Sequence, residues 1–491
     1  MPTLSRREFL PLLLTAPSAV RALAEDPGDW FSLFNGRSLA GWKAALNAHA
    51  FKVAGGEIVA HGGPASLFYV GTVGQTHFKN FEFAADVMLQ PGAKSAICFH
   101  TAPPSSASAA PGFQVLLAND DRGPSGFVNH RKTGSLLGVR NVYKQLVKPG
   151  DWFTLNILVR QKQVQIRLND MLVVDYIEPV DAFSANPDFL CRFGRGTFAL
   201  QALNGQQAAN FRNLRTRPLP DSIPQLANEQ PQVDEVYREI IRLGAENYPV
   251  VDYHAHLKGG LTAEQALANS RRVGIGYGIA INCGITEPVH DDAGLRDYIA
   301  SMKGQPCYVA MQGEGREWTT VASPESVARF DYVFTDAMTF RDDTGKRMRI
   351  WIPDEIGVIH DKQAFMDMLV KRIEGVMREP IDIYANATYI PDQMGSEYDA
   401  LWTAQRMQRV IDAALKNNIA IEINNRRRIP SAAFIKRAKA AGCKFSFGTN
   451  NAAAELGRLE YPIQMVRECG LSWQDIFVPR PDGQKPIQLR T

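Results

Sequence analysis

Apolar positions in the second half of the chain fall into seven short runs, beginning near Val250, Tyr277, Cys307, Asp331, Ile381, Ile419 and Cys443 and each ending in a polar residue. Stretches with helical periodicity separate most of them, the pattern of alternating β/α units. A closed parallel barrel is the predicted architecture. Such barrels build their sites at the C-terminal ends of the strands, which singles out His254, His256, Asn282, Glu314, Asp336, Asn386, Asn424 and Asn450. The first half reads differently. Residues 81–87, 153–159 and 164–168 alternate or run apolar over strand lengths, with Gly, Asn and Pro between them, and Asn169-Asp170 is a predicted hairpin turn. Many short strands over residues 30–217 predict a β-sandwich of jelly-roll type.

Pro218, Pro220, Pro224 and Pro231 interrupt a polar run between the two patterns, so residues 218–234 are expected to be a linker, residues 235–478 the barrel and residues 479–491 a tail. At the other end, Ser5-Arg6-Arg7-Glu8-Phe9-Leu10 precedes an apolar stretch to Val20 and then Ala22-Leu23-Ala24, the order of a twin-arginine export signal over residues 1–24. Pro11 and Pro17 break that stretch, which is too short for a permanent span. A periplasmic or secreted protein with no membrane span is expected.

The chain has 491 residues, 45% hydrophobic and 21% charged, enough for two substantial cores. A net charge of +3 argues against a nucleic-acid or membrane-surface partner. The six cysteines form no CxxC pair and no zinc-ribbon spacing and are expected as small buried residues, with a Cys98–Cys191 bridge permitted by an oxidising compartment. Nothing in the composition calls for an organic cofactor.

The segment Trp30 to Trp42, with Phe34-Asn35-Gly36 at its centre, resembles the opening signature of the 3-keto-disaccharide hydrolase family. Thr133-Gly134, Asp151-Trp152-Phe153-Thr154, Asn169 to Tyr176, Leu200-Gln201 and Asn210 to Leu214 follow in that family's order. The resemblance covers residues 30–217 and implies a concanavalin-like sandwich acting on glycosides whose sugar carries a 3-keto group. Departures from the pattern bear on the chemistry: His100 stands where the family has arginine, Gln114 where it has glutamate, and Leu203 where it has histidine. A two-carboxylate glycosidase needs an acid and a base or nucleophile, and Gln114 can be neither. Elimination across an acidified C–H bond needs one general base, for which His100, Asp120 and Asp121 are the candidates, with Gln114, Trp152 and Gln201 as candidate sugar contacts.

The second half, from Val251-Asp252-Tyr253-His254-Ala255-His256 to the ending Phe447-Gly448-Thr449-Asn450-Asn451, resembles the polymerase and histidinol phosphatase (PHP) superfamily of distorted seven-stranded barrels. That resemblance implies a cluster of metal ions whose bridging water attacks phosphate esters, but most of its ligand positions are altered here: Asn282-Cys283-Gly284, Met338, Ala385-Asn386-Ala387 and Thr449-Asn450-Asn451 replace histidine- and aspartate-bearing turns. What survives is His254, His256 and Glu314, with Asp336 as a fourth, a donor set for one divalent metal, zinc foremost. Asn282, Asn386, Asn424 and Asn450 suit the hydroxyls of a neutral polyol, because amides both donate and accept. Three functions compete: an exported carbohydrate-active hydrolase or lyase on a 3-keto glycoside, a metal-dependent phosphoesterase centred on the barrel, and a sugar-binding protein without catalysis.

Overall fold

A computed structural model describes residues 29–103, 112–119, 127–186, 191–203, 207–342 and 344–490. The expected export signal, Asp120 and Asp121 lie outside them.

The first half is a two-sheet antiparallel sandwich. Its larger sheet has eight strands, running from Met171–Ile177 through Gln163–Leu168, Trp152–Arg160, Asn80–Leu89, Ala209–Leu219 and Glu57–Ala60 to Phe51–Ala54, with Phe31–Ser32 added against Ala209–Leu219. The smaller runs Trp42–Leu46, Ala65–Tyr69, Thr197–Ala202, Lys94–Thr101, Phe113–Ala118. Strict alternation sets the register: in Trp152–Arg160, Phe153, Leu155, Ile157 and Val159 are buried while the residues between them are not. These side chains meet Leu67, Ile97, Val115 and Leu200 of the smaller sheet in one core. Asn169, at φ 52°, makes the turn between Gln163–Leu168 and Met171–Ile177, as the Asn-Asp pair predicts.

The second half closes into a barrel of seven parallel strands, Val251–Ala255, Gly276–Cys283, Tyr308–Gly313, Tyr332–Thr335, Ile383–Tyr384, Ala420–Asn424 and Phe445–Gly448. Each starts within two residues of its sequence expectation. Helices separate them. Ala263–Val273 is typical: Thr262 and Gln265 form a reciprocal capping box at its start, and Gly274, at φ +86°, ends it in the left-handed conformation open to glycine. Aromatic rings fill the barrel, with Tyr332 edge-on to Tyr253 at 5.4 Å and its hydroxyl donating to the Tyr253 carbonyl at 2.7 Å. Gly278 makes room for that hydroxyl, which would lie 1.9 Å from a Cβ there.

The halves are fastened together. Segment 128–144 of the sandwich docks on the N-terminal end of the barrel: Arg140 donates to the carbonyls of Arg271 and Arg272 at the C-terminus of Ala263–Val273, Lys144 pairs with Asp331 at 2.7 Å, and the Tyr308 hydroxyl donates to the Tyr143 carbonyl at 2.9 Å. The proline-rich connection is not a free tether. Asn80 donates to Pro220 and Gln161 to Asp221 and Ile223, while Leu226 donates to Gln163. Among the described residues no helix is long and apolar enough to cross a membrane.

Candidate functional site

Two surfaces gather the predicted site residues. In the smaller sheet, cross-strand pairing aligns Phe68, Ala199, Cys98 and Gln114 in one row and Ser66, Gln201, Ala96 and Leu116 in the next. Because Leu67, Leu200, Ile97 and Val115 point into the core, both rows lie on the sheet's other face. Gln114 and Gln201, both half-buried, therefore lie on one face of the sheet, among the buried Phe68, Cys98, Ala199, Ala96 and Leu116. The Gln201 amide donates to the Ser66 hydroxyl at 3.3 Å, and its buried Oε1 has no partner among the described residues. None of the six cysteines forms a disulfide among the described residues, and burial pushes the Cys98 thiol far above its usual range, which makes it an inert neutral group.

Two predicted residues are not part of this surface. Trp152 lies in the other sheet, where the Arg212 guanidinium stacks over its ring at 3.9 Å. His100, expected as a base, is 6% exposed and packed against Phe81, Phe99 and Phe193. Its Nε2 donates to the Lys79 carbonyl at 2.9 Å and its Nδ1 accepts from the Gly194 amide at 3.4 Å. Both ring nitrogens are thus spent on backbone, and burial lowers the pKa to about 4. A histidine so placed holds two loops together and has no nitrogen for a substrate.

The barrel brings its predicted residues together at the strand C-termini. His254 and His256 come from Val251–Ala255 and the residue after it, and their ring centroids are 5.3 Å apart. His254 Nδ1 faces Glu422 Oε1 at 2.5 Å, and His256 Nδ1 faces the Ala280 carbonyl at 3.0 Å. Each Nε2 is buried and, among the described residues, has no partner in good hydrogen-bonding geometry, although the Gln312 side chain lies against His256. Anchoring one ring nitrogen on a carboxylate or carbonyl while the other stays open is the way ligating histidines are held.

The asparagines, expected to read a polyol, mostly hold carboxylates. Asn386 donates to Asp336 at 2.8 Å, Asn424 to Glu422 at 3.0 Å, and Asn282, with Gln312, to Glu314 at 3.3 and 2.8 Å. Asn386 Oδ1 in turn accepts from Asn424 and Asn450. The amides bond to one another and to buried acids. Burial, with Asp336 and Glu287 adding to it, pushes Glu314 up to about 8, and burial also raises Asp336. Burial would raise Glu422 too, but His254 and the donors from Asn386 and Asn424 outweigh it and hold the carboxylate below its ordinary value.

Glu422 and Gln312 are the residues that strand-end reasoning misses, since both lie inside strands. A charge within the apolar run Ala420-Ile421-Glu422-Ile423 was the available signal. The orphan nitrogens of His254 and His256 fit a metal ion. Glu314 and Asp336 do not complete the set: among the described residues no three His, Cys, Asp or Glu side chains converge as a metal shell.

Residues 29–217 match the family model described as a 3-keto-alpha-glucoside-1,2-lyase-like domain. No curated protein matches the chain in sequence. Solved structures similar to it include a candidate glycosyl hydrolase from Parabacteroides distasonis, 21% identical with a TM-score of 0.34 and covering 39% of this chain and 94% of that one. The carbohydrate-binding module CBM66 from Bacillus subtilis is 15% identical with a TM-score of 0.25, covering 36% of this chain and 95% of that one. A β-glucanase of Bacillus licheniformis is 10% identical with a TM-score of 0.27, covering 39% and 98%.

Proposed function

We propose that this protein is a carbohydrate-active lyase or hydrolase whose sandwich cleaves a glycoside oxidised at C3 of its sugar. The observation that carries the reading is the match of residues 29–217 to the 3-keto-glucoside lyase-like model. A ketone at C3 acidifies the C2 proton. A base removes that proton, the C1–C2 double bond forms, and the aglycone leaves C1 with the bonding electron pair and is protonated. Addition of water to the double bond then gives net hydrolysis. This needs one base and a binding surface, with no carboxylate pair. Gln114 and Gln201 are the surface contacts, and Asp120 and Asp121, following the strand that carries Gln114, are the candidate bases. The purified protein is expected to release the aglycone from a 3-keto-glucoside, and not from the unoxidised glucoside, with loss of deuterium from C2. Asp120→Asn or Asp121→Asn should lower kcat by about 10²–10⁴. Release without C2 exchange, or equal release from the unoxidised sugar, overturns the reading.

A second reading places a divalent ion on the barrel, and the two orphan Nε2 atoms favour it. His254 and His256 would hold the ion, which would supply Lewis acidity toward a phosphoester in the manner of the PHP-like barrels that this half resembles. Metal analysis of protein purified without chelator tests it. About one equivalent that disappears in His254→Ala/His256→Ala supports the ion, and none in either protein removes it.

A further inference from the structure

A cavity of about 390 Å³ lies where the sandwich meets the N-terminal end of the barrel, the end opposite His254 and His256. Its size is at the small end of the range of about 300–1,000 Å³ typical of ligand pockets. One wall is aromatic: Trp473 stands edge-on to His130 at 5.4 Å, and Phe477 and Tyr308 continue the surface. His130, from the sandwich, is 7% exposed; its ring lies against the Asn247 backbone, and its buried Nδ1 has no partner in good hydrogen-bonding geometry among the described residues. Its backbone amide is fixed by Asn247 of the barrel at 3.0 Å, so the ring is held at the domain boundary. Lys444 and Arg480 also line the cavity, whereas no Asp or Glu does so among the described residues. The Lys444 ammonium is held by the Gln474 carbonyl, and Arg480 shares its charge with Asp382 at 2.8 Å.

An orphaned imidazole nitrogen, an ammonium tied only to a carbonyl and an aromatic wall select for a small anion with a ring body. We propose that this interdomain cavity binds a ring-bearing carboxylate of monosaccharide size, its carboxylate on Lys444 and His130 and its ring against Trp473. Such a ligand touches both domains at once and stands apart from both surfaces described above.

Calorimetric titration of the full-length protein with D-glucuronate and with benzoate tests this, with methyl glucoside and benzyl alcohol as neutral controls. At least one acid is expected to bind at least tenfold more tightly than its neutral counterpart, and Lys444→Gln and Trp473→Ala should each weaken it about tenfold. Lys444 is exposed, so its substitution leaves the fold intact, as circular dichroism will report. The proposal falls if neither acid binds below about 10 mM, a threshold near 2.7 kcal/mol, or if binding survives both cavity variants.

Discussion

Whether a polar side chain serves chemistry or structure is decided by what its atoms touch. His100 illustrates the structural case. Its pKa falls from 6.5 to about 4 on folding. Between those values the unfolded chain holds a proton that the folded one refuses, so the slope of stability with pH is positive there. Stability is lost as pH drops from 6.5 toward 4, by at most about 1.4 kcal/mol per pH unit from this group. His130, also lowered to about 4 by burial and by Lys132, adds a second such slope. In His100→Gln, urea midpoints across that window should flatten by one group's share. Glu422 is the opposite case, a buried carboxylate made tolerable by His254 and amide donors. Removing its partner in His254→Ala should cost about 3 kcal/mol. Adding Glu422→Gln to that variant should recover part of the loss, a coupling readable in a double-mutant cycle. In sequence His100 looks like the reactive group and Glu422 like an ordinary strand residue, because pairing across the fold is invisible in a linear pattern.

At the scale of the element, the barrel strands were legible because a strand buried on both faces reads as a continuous apolar run. The sandwich strands were legible by alternation. Less visible was what a single glycine does inside a strand. Gly448, paired with Asn424 at the end of the last barrel strand, has no room for a side chain: a Cβ would lie 2.2 Å from Glu422 Oε1 and 2.7 Å from the His254 Cβ. Gly448→Ala should therefore push Glu422 off His254, at a cost of about 1–3 kcal/mol from overpacking. Thermal unfolding checks the cost. Chemical shifts of the His254 ring, which a merely local strain would leave alone, check the mechanism.

For the whole molecule, the main consequence of the fold is that two dissimilar domains share a buried polar seam. Arg140 is 3% exposed, and its guanidinium is divided among the Arg271 and Arg272 carbonyls and the Tyr237 hydroxyl. Arg140→Ala leaves carbonyls of a helix terminus unpaired between the domains. We expect a loss of about 3 kcal/mol and a single calorimetric transition splitting into two; Arg140→Lys, with the charge but not the fork, should restore only part of it. The docked linker acts in the same direction by removing the freedom a proline-rich tether would have had.

Periodicity alone set the two architectures, an antiparallel sandwich and a seven-stranded barrel, because burial of one face or of both imposes its own spacing on apolar residues. It also placed His254, His256, Asn282, Glu314, Asp336, Asn386, Asn424 and Asn450 at one barrel mouth, since strand ends are fixed by the same pattern. Only the tertiary structure decided that Glu422 anchors His254, that the asparagines are spent on buried acids, that His100 is tied to backbone and Trp152 to Arg212, and that the sandwich closes the far end of the barrel. Each depends on atoms brought together from distant parts of the chain, where distance and desolvation, rather than residue type, set what a polar group can do.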